Sequence, residues 1–153
     1  MAIPFQDRVP FIEQIGCELQ RCENGEAEVT LTVDADRHTN SFGVAHGGLL
    51  MTLLDVAMAK AARSLYQHLP DGGPGAVTVE MKTSFLRPGV GAIRALGSVL
   101  HHTPATVFTE GKVLDEKGRL CAHATATFKF VRALPDREIR SKTKPSLRGP
   151  GSD

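Results

Sequence analysis

Apolar residues recur at helical spacing from His46 to Gln67, which is the longest such run in the chain. Leucines, methionines and alanines fill this segment, and almost no polar face appears before Lys60. A helix that is apolar nearly all round is a buried helix, since exposing it would leave a large apolar surface in water. The pattern therefore predicts one long central helix that the rest of the chain wraps.

Alternating apolar and polar residues, typical of half-buried strands, occur on both sides of this helix. Before it, residues 17–21 and 26–33 alternate, and the Asn24-Gly25 pair between them is the strongest two-residue signal for a hairpin. After it, four further segments alternate: residues 76–86, 90–102, 105–116 and 119–132.

The order of two strands, one long helix and four strands predicts an α+β fold. Strands joined by short turns form an antiparallel meander, and a sheet of five to six strands must curl around the helix to bury it on most sides. Alternation also assigns the two faces of the first strand after the helix. One face carries Val77, Val79 and Met81, and the other carries Thr78, Glu80 and Lys82.

The two ends of the chain differ in character. Residues 5–14 predict a short helical segment that Pro10 interrupts. Residues 133–153 have few large apolar residues, many charges and several prolines, which predicts a flexible C-terminal tail. We therefore expect a single domain over residues 1–132, large enough to bury a real core.

Composition and charge argue against several classes of protein. A net charge of +1 gives no reason to expect a nucleic-acid partner. Neither a membrane-spanning apolar run nor a signal peptide is visible, so we expect no membrane association. The three cysteines form no CxxC pair and no even disulfide framework, which favours a reducing cytoplasm. The six histidines lack metal-ligand spacing, and we expect no metal site.

A single acid, Asp55, interrupts the apolar middle of the predicted helix. Burying a carboxylate is unfavourable unless it is paired, hydrogen-bonded or used for chemistry. Asp55 therefore either bonds to a neighbouring hydroxyl such as Thr52, pairs with Lys60, or has a functional role.

Two glycines, Gly47 and Gly48, lie at the start of the same helix. The first amides of a helix have no intrahelical acceptor, so an oxygen can approach them closely where side chains are absent. Glycine here is equally compatible with a packing requirement. Together with Asp55, these amides suggest acyl-group chemistry, with donors for a developing oxyanion and a carboxylate as base or nucleophile.

Gly47 and Asp55 are too far apart to act on one small group within one helix. They are eight positions apart, which corresponds to about 12 Å along a helix axis. If both act on the same carbonyl, a second copy of the helix must lie antiparallel beside the first. The separation therefore predicts a two-fold homodimer with composite sites.

The loop at residues 34–45 is long enough to do more than connect two elements, and it contains Asn40. An asparagine in such a loop either caps a turn or contributes to a site. The residues alone leave both roles open.

The spacing of Asn40, His46-Gly47-Gly48 and Asp55 resembles that of the PaaI-type acyl-CoA thioesterases. Residues 77–81 and 85–88 carry further similarity, and the resemblance covers nearly the whole predicted domain. It implies the hotdog fold, in which an antiparallel sheet of five to six strands curls around one long central helix.

The resemblance also implies roles for individual residues. Asp55 would be the general base or nucleophile, and the Gly47 amide would polarise the thioester carbonyl. Thr78 would hold the nucleophilic water, and Asn40 would place that water or the thioester. Asp55 and Thr78 would come from one protomer, and Asn40, His46 and Gly47 from the other. The residues expected to bind substrate are His46, Gly48, Phe85 and Arg87.

Two of these binding residues have a more specific expected role. His46 is expected to order the loop and the helix start rather than act as a base. Arg87 is the candidate contact for the nucleotide of coenzyme A, and His101 and Lys129 are further candidates.

The expected activity is hydrolysis of an aryl- or medium-chain acyl-CoA to the free acid and coenzyme A. Coenzyme A enters only as part of the substrate, and we expect no other cofactor. The expected partner is a second copy, in a homodimer that pairs into a homotetramer. The acyl pocket would be lined by Met51, Met58, Phe85 and Leu86. Alternatives are a hotdog hydratase or dehydratase and a non-catalytic acyl-CoA-binding hotdog protein.

Overall fold

The computed structural model describes residues 1–132, which form two helices and one six-stranded antiparallel sheet. The tail predicted at residues 133–153 lies outside the described residues. The predicted order of two strands, a long helix and four strands is confirmed. In chain order the elements are α1 (Pro10–Ile15), β1 (Glu18–Glu23), β2 (Glu26–Thr32), α2 (Gly47–Ser64), β3 (Gly75–Phe85), β4 (Ala92–His102), β5 (Thr106–Leu114) and β6 (Leu120–Val131).

The strands lie in the order β1-β2-β4-β5-β6-β3, so β1 and β3 form the two edges of the described sheet. Asn24 and Gly25 both have positive φ, 51° and 77°, as the predicted hairpin turn requires. The sheet packs against α2. Neither helix of residues 1–132 is long and apolar enough to cross a membrane. The largest fully buried side chains of the core include Leu53, Leu54, Met58, Ile93, Val107 and Phe128.

Pro10 begins α1 instead of interrupting a helix over residues 5–14, so that prediction was wrong. Proline is favourable at the first helical position, where its missing N–H would have no partner. The preceding Val9 is extended, with φ −121° and ψ 92°, as a residue before proline prefers. Ile12, which is only 4% exposed, anchors the short helix to the core.

β3 does not alternate regularly. Its register with β6 shifts between Thr78 and Glu80, which leaves Val79 as a bulge that is 61% exposed. Thr78 is thereby paired with Phe128, whose side chain is fully buried in the core beneath α2. A bulge re-aims neighbouring side chains. The alternation that grouped Thr78 with Glu80 and Lys82 was therefore wrong, because the extra residue, Val79, puts Thr78 and Glu80 on opposite faces of the sheet.

Gly97 of β4 allows α2 to lie directly on the sheet, since a Cβ there would be 2.4 Å from the Ala57 carbonyl. We expect Gly97→Ala to lower the free energy of unfolding by about 3 kcal/mol, because a helix backbone cannot move aside easily. Gly111→Ala on β5 is the matched control. Its Cβ would meet the side chains of Leu54 and Met58 at 3.0 and 3.1 Å, and we expect a loss of about 1 kcal/mol. Urea unfolding measures both losses, and equal values would contradict this account.

Candidate active site

One flank of α2 is left partly uncovered by the described chain. Its residues are half-buried, whereas the residues that face the sheet are buried. They are three or four positions apart and therefore form one stripe along the helix. This α2 stripe consists of Met51, Thr52, Asp55, Val56 and Ala59. The predicted helix is thus wrapped on most sides, and Asp55 lies on the remaining side.

A hydroxyl group from β3 holds the Asp55 carboxylate. The Thr78 Oγ1 donates a hydrogen bond of 2.6 Å to Asp55 Oδ1. This contact depends on the bulge at Val79, which turns Thr78 towards the helix. Within residues 1–132, Asp55 has no salt bridge and its Oδ2 accepts no hydrogen bond. One carboxylate oxygen is therefore oriented, and the other is available.

Asp55 bonds to neither of the two α2 residues considered as its structural partners, Thr52 and Lys60. The Thr52 hydroxyl donates instead to the Gly48 carbonyl one turn earlier, at 2.8 Å. The Lys60 ammonium group lies 4.9 Å from the centre of the Phe5 ring, and burial lowers the pKa of this lysine. The hydroxyl that Asp55 does bind is that of Thr78 on β3.

His46 caps the start of α2, and its Nδ1 accepts the Gly48 amide at 2.9 Å. This bond occupies the Gly48 amide. The Gly47 amide, by contrast, has no acceptor among the described residues. Of the two amides suggested by the sequence, only that of Gly47 is available to an oxyanion.

The atoms around Gly47 and Gly48 show whether packing requires a glycine at each position. A Cβ at Gly48 would lie 3.0 Å from His46 Nδ1, so the cap itself favours glycine there. A Cβ at Gly47 would lie 3.4 Å from the ring of Phe85, which is an ordinary van der Waals contact. Packing within the described chain therefore does not account for Gly47.

Asn40 caps a turn in the loop before α2. Its Oδ1 accepts the amides of Phe42 and Val44 at 2.9 and 3.4 Å. The turn-capping alternative is thus correct, but it uses only the oxygen. The Asn40 Nδ2 group has no acceptor within residues 1–132, and Asn40 lines the same pocket as Gly47. Asn40 therefore presents a hydrogen-bond donor to that pocket.

The predicted residues divide between two pockets beside α2. The first, of about 340 Å³, is called the glycine pocket and is lined by Asn40, Ala45, Gly47, Leu50, Phe85, Leu86, Arg87, Pro88 and Gly89. The second, of about 360 Å³, is called the acid pocket and is lined by Val9, Phe11, Ile12, Met51, Thr52, Asp55, Val56 and Met81. Neither pocket contains both Gly47 and Asp55.

The wall that α1 contributes to the acid pocket could not be predicted from the sequence. Phe11 and Ile12 come from α1, and Met81 comes from β3. These contacts join segments far apart in the chain, so no local pattern indicates them. Among the residues expected to line an acyl pocket, Met51 does so, whereas Met58 is fully buried in the core.

Two further candidate contacts lie away from both pockets. The His101 ring stacks on Phe108, with 6.2 Å between the ring centres. Lys129 is exposed on β6, between the buried residues Phe128 and Phe130. A larger cavity of about 720 Å³ borders β2 and β4 and contains none of the predicted site residues.

Residues 42–122, just over half of the chain, match the family model described as the Thioesterase superfamily. The matched stretch includes Gly47, Asp55 and Thr78. The chain belongs to the thioesterase superfamily. Its open six-stranded antiparallel sheet with one long helix packed against it is the hotdog fold, and the PaaI-type resemblance is confirmed.

Solved structures of two PaaI proteins are similar to this thioesterase-superfamily chain. A point mutant of the phenylacetic acid degradation protein PaaI from Thermus thermophilus is 31% identical, with a TM-score of 0.69, and the match covers 79% of this chain and 98% of that chain. PaaI from the E. coli phenylacetic acid degradation operon is 26% identical, with a TM-score of 0.71, over 79% of this chain and 83% of that chain.

A relative from Saccharolobus solfataricus, SSO1253, is an esterase by name. It is 29% identical over 119 residues, which cover 77% of this chain and 75% of the relative. The superfamily and this relative agree on hydrolysis as the type of reaction.

Proposed function

We propose that this hotdog protein is an acyl-CoA thioesterase that hydrolyses an aryl- or medium-chain acyl-CoA within a homodimer. The family and the esterase name of a relative support a hydrolase. The names of the two PaaI structures refer to phenylacetic acid degradation, which favours an arylacyl thioester. The observation that carries the proposal is the Asp55 carboxylate, held at one oxygen by Thr78 and available at the other beside an apolar pocket.

Two surfaces of the described chain support a two-fold dimer. β3 is an edge strand that pairs only with β6 within residues 1–132, and it exposes Val79 and Phe85. The α2 stripe adds half-exposed apolar side chains. Pairing two copies along β3 would continue the sheet and place two α2 helices antiparallel. Asp55 of one protomer would then face the partner's Gly47.

The two half-sites together supply what thioester hydrolysis needs. Asp55 takes a proton from water as the water oxygen attacks the carbonyl carbon. The oxyanion forms against the amide of the partner's Gly47, with the Nδ2 group of the partner's Asn40 as a second donor. The carbon–sulfur bond then breaks, and coenzyme A leaves as a thiolate. If Asp55 attacks instead, it forms an anhydride that water hydrolyses.

The glycine pocket has the charge that suits coenzyme A. Arg87 is exposed at this pocket, and its Nη1 donates to the Leu120 carbonyl at 3.0 Å, which steadies the side chain. A guanidinium group binds phosphate through several N–H donors. We therefore place the coenzyme A arm over the glycine pocket, with its phosphates towards Arg87.

Two other functions on this fold have distinct signatures. A hydratase or dehydratase needs a second acid–base group, and no histidine is among the residues that line the acid pocket. It would convert an enoyl or 3-hydroxyacyl thioester without releasing thiol. A non-catalytic acyl-CoA-binding protein would bind the thioester tightly, also without thiol release. A thiol-release assay on a panel of acyl-CoA substrates therefore separates the thioesterase from both alternatives. Conversion of an enoyl or 3-hydroxyacyl thioester without thiol release separates the hydratase or dehydratase from the binding protein.

Mixing two inactive variants tests whether the site is shared between protomers. Asp55→Asn removes the base, and Gly47→Pro removes the oxyanion donor. Each mixed dimer would regain one intact site, so a randomised equimolar mixture should recover about a quarter of wild-type activity. Thiol release from phenylacetyl-CoA after joint refolding measures the recovery, with separately refolded variants as controls. No recovery in a sample shown by mass spectrometry to contain mixed dimers would contradict the shared site.

A further inference from the structure

The acid pocket is bounded by apolar side chains from three parts of the fold. α1 contributes Phe11 and Ile12, α2 contributes Met51 and Val56, and β3 contributes Met81. The pocket volume is about 360 Å³, whereas an apolar cavity of about 150 Å³ already holds benzene. The acid pocket therefore has room for a phenyl ring or for several methylene groups.

We propose that the acid pocket receives the acyl group and that Phe11 sets the largest acyl group it accepts. The proposal rests on the thioesterase function proposed above. It assigns the two ends of the substrate to different pockets: the apolar acyl group lies beside Asp55, and the coenzyme A arm runs towards the partner's Arg87. The apolar lining of the acid pocket suits an acyl group, and the Arg87 guanidinium group at the glycine pocket suits the phosphates of coenzyme A.

Phe11 is suited to set the size limit because it lines the pocket without being part of the core. Phe11 is 60% exposed, whereas the neighbouring Ile12 is 4% exposed and anchors α1. A second cavity of about 390 Å³ also borders Val9 and Ile12. Phe11 does not border that second cavity, so a smaller side chain at position 11 would enlarge the acid pocket alone and would not open the core.

The polar groups of the acid pocket favour a neutral acyl group. The Thr52 hydroxyl donates to the Gly48 carbonyl, and the Thr78 hydroxyl donates to Asp55. The side chains that line the pocket therefore offer no donor to a polar substituent. The Asp55 carboxylate would repel a second carboxylate on the acyl group. We infer that phenylacetyl and medium-chain groups are accepted and that dicarboxylic groups such as succinyl are rejected.

The experiment compares kcat/KM for decanoyl-CoA and phenylacetyl-CoA in the wild-type protein, in Phe11→Ala and in Phe108→Ala. Phe108 is a matched control, because it is an exposed phenylalanine on β5 that lines neither pocket. We expect Phe11→Ala to raise the decanoyl-to-phenylacetyl ratio about tenfold or more, since pocket contacts of this size discriminate by that amount. Phe108→Ala should leave the ratio unchanged.

In the wild-type protein, kcat/KM for succinyl-CoA should be about a hundredfold or more below that for hexanoyl-CoA.

The outcomes distinguish this inference from the function on which it rests. If the wild-type protein cleaves acyl-CoA and the ratio is the same in Phe11→Ala, the thioesterase function stands and the size limit at Phe11 is wrong. Equal shifts in both variants would also overturn it. Ready turnover of succinyl-CoA would overturn the preference for neutral groups. If none of these thioesters is cleaved, both proposals fail.

Discussion

Asp55→Asn should abolish acyl-CoA hydrolysis and leave the protein folded. Asparagine keeps an oxygen to accept the Thr78 hydroxyl hydrogen bond, but it is neither a base nor an effective nucleophile. We expect kcat to fall about 10²- to 10⁴-fold if Asp55 is a general base. A loss of about 10⁶-fold would indicate a nucleophile, by analogy with other covalent catalysts. Thiol release from phenylacetyl-CoA measures the loss and so distinguishes the two roles.

Asp36→Asn is the matched control for this substitution. Asp36 is exposed in the loop before α2, and its carboxylate has no hydrogen-bond or salt-bridge partner among the described residues. The same chemical change there should leave both the turnover and the thermal unfolding curve unchanged. If Asp55→Asn turned over substrate at a near-normal rate, the carboxylate would have no part in the chemistry.

Gly47→Pro should lower kcat about 10²- to 10³-fold, because it removes one oxyanion donor. Proline is favoured at the first position of a helix. His46, the preceding residue, has φ −59° and ψ 139°, which is the extended conformation preferred before proline. Because the Gly47 amide has no acceptor among the described residues, the fold should lose no hydrogen bond. Steady-state thiol release, together with a thermal unfolding curve, tests both expectations.

Gly47→Ala separates the amide from the space around it. Alanine keeps the N–H group and adds a Cβ in ordinary contact with the Phe85 ring, at 3.4 Å. It should therefore retain much more activity than the proline variant. Equal losses in the two variants would mean that the absence of a side chain, and not the N–H donor, is what the reaction requires.

The order of the elements could be predicted because it follows from local patterns. The apolar run after His46 and the alternating segments around it depend only on residues close together in the chain. The hairpin at Asn24-Gly25 depends on two residues with positive φ, which these types adopt readily. Boundaries were less well determined: the predicted run extends to Gln67, whereas α2 ends at Ser64 and is followed by a turn.

The candidate residues on α2 could also be identified from the sequence. A lone acid in an apolar helix and two glycines at its start are local departures from the pattern, and they mark Asp55 and Gly47. The sequence could not decide between a structural and a functional reading of either residue. For Asp55, the structure shows that Thr52 and Lys60 have other partners, which removes the two structural partners named from the sequence.

The sequence by itself determined the fold class, the position of the central helix and the candidate residues Asp55 and Gly47. Only the tertiary structure decided that Thr78 reaches Asp55, because the bulge at Val79 arises from the register between β3 and β6. Only the tertiary structure placed Phe11 beside the acid, because α1 packs against elements distant in the chain. Local periodicity reports which residues are apolar, whereas register and long-range packing depend on contacts that no single segment contains.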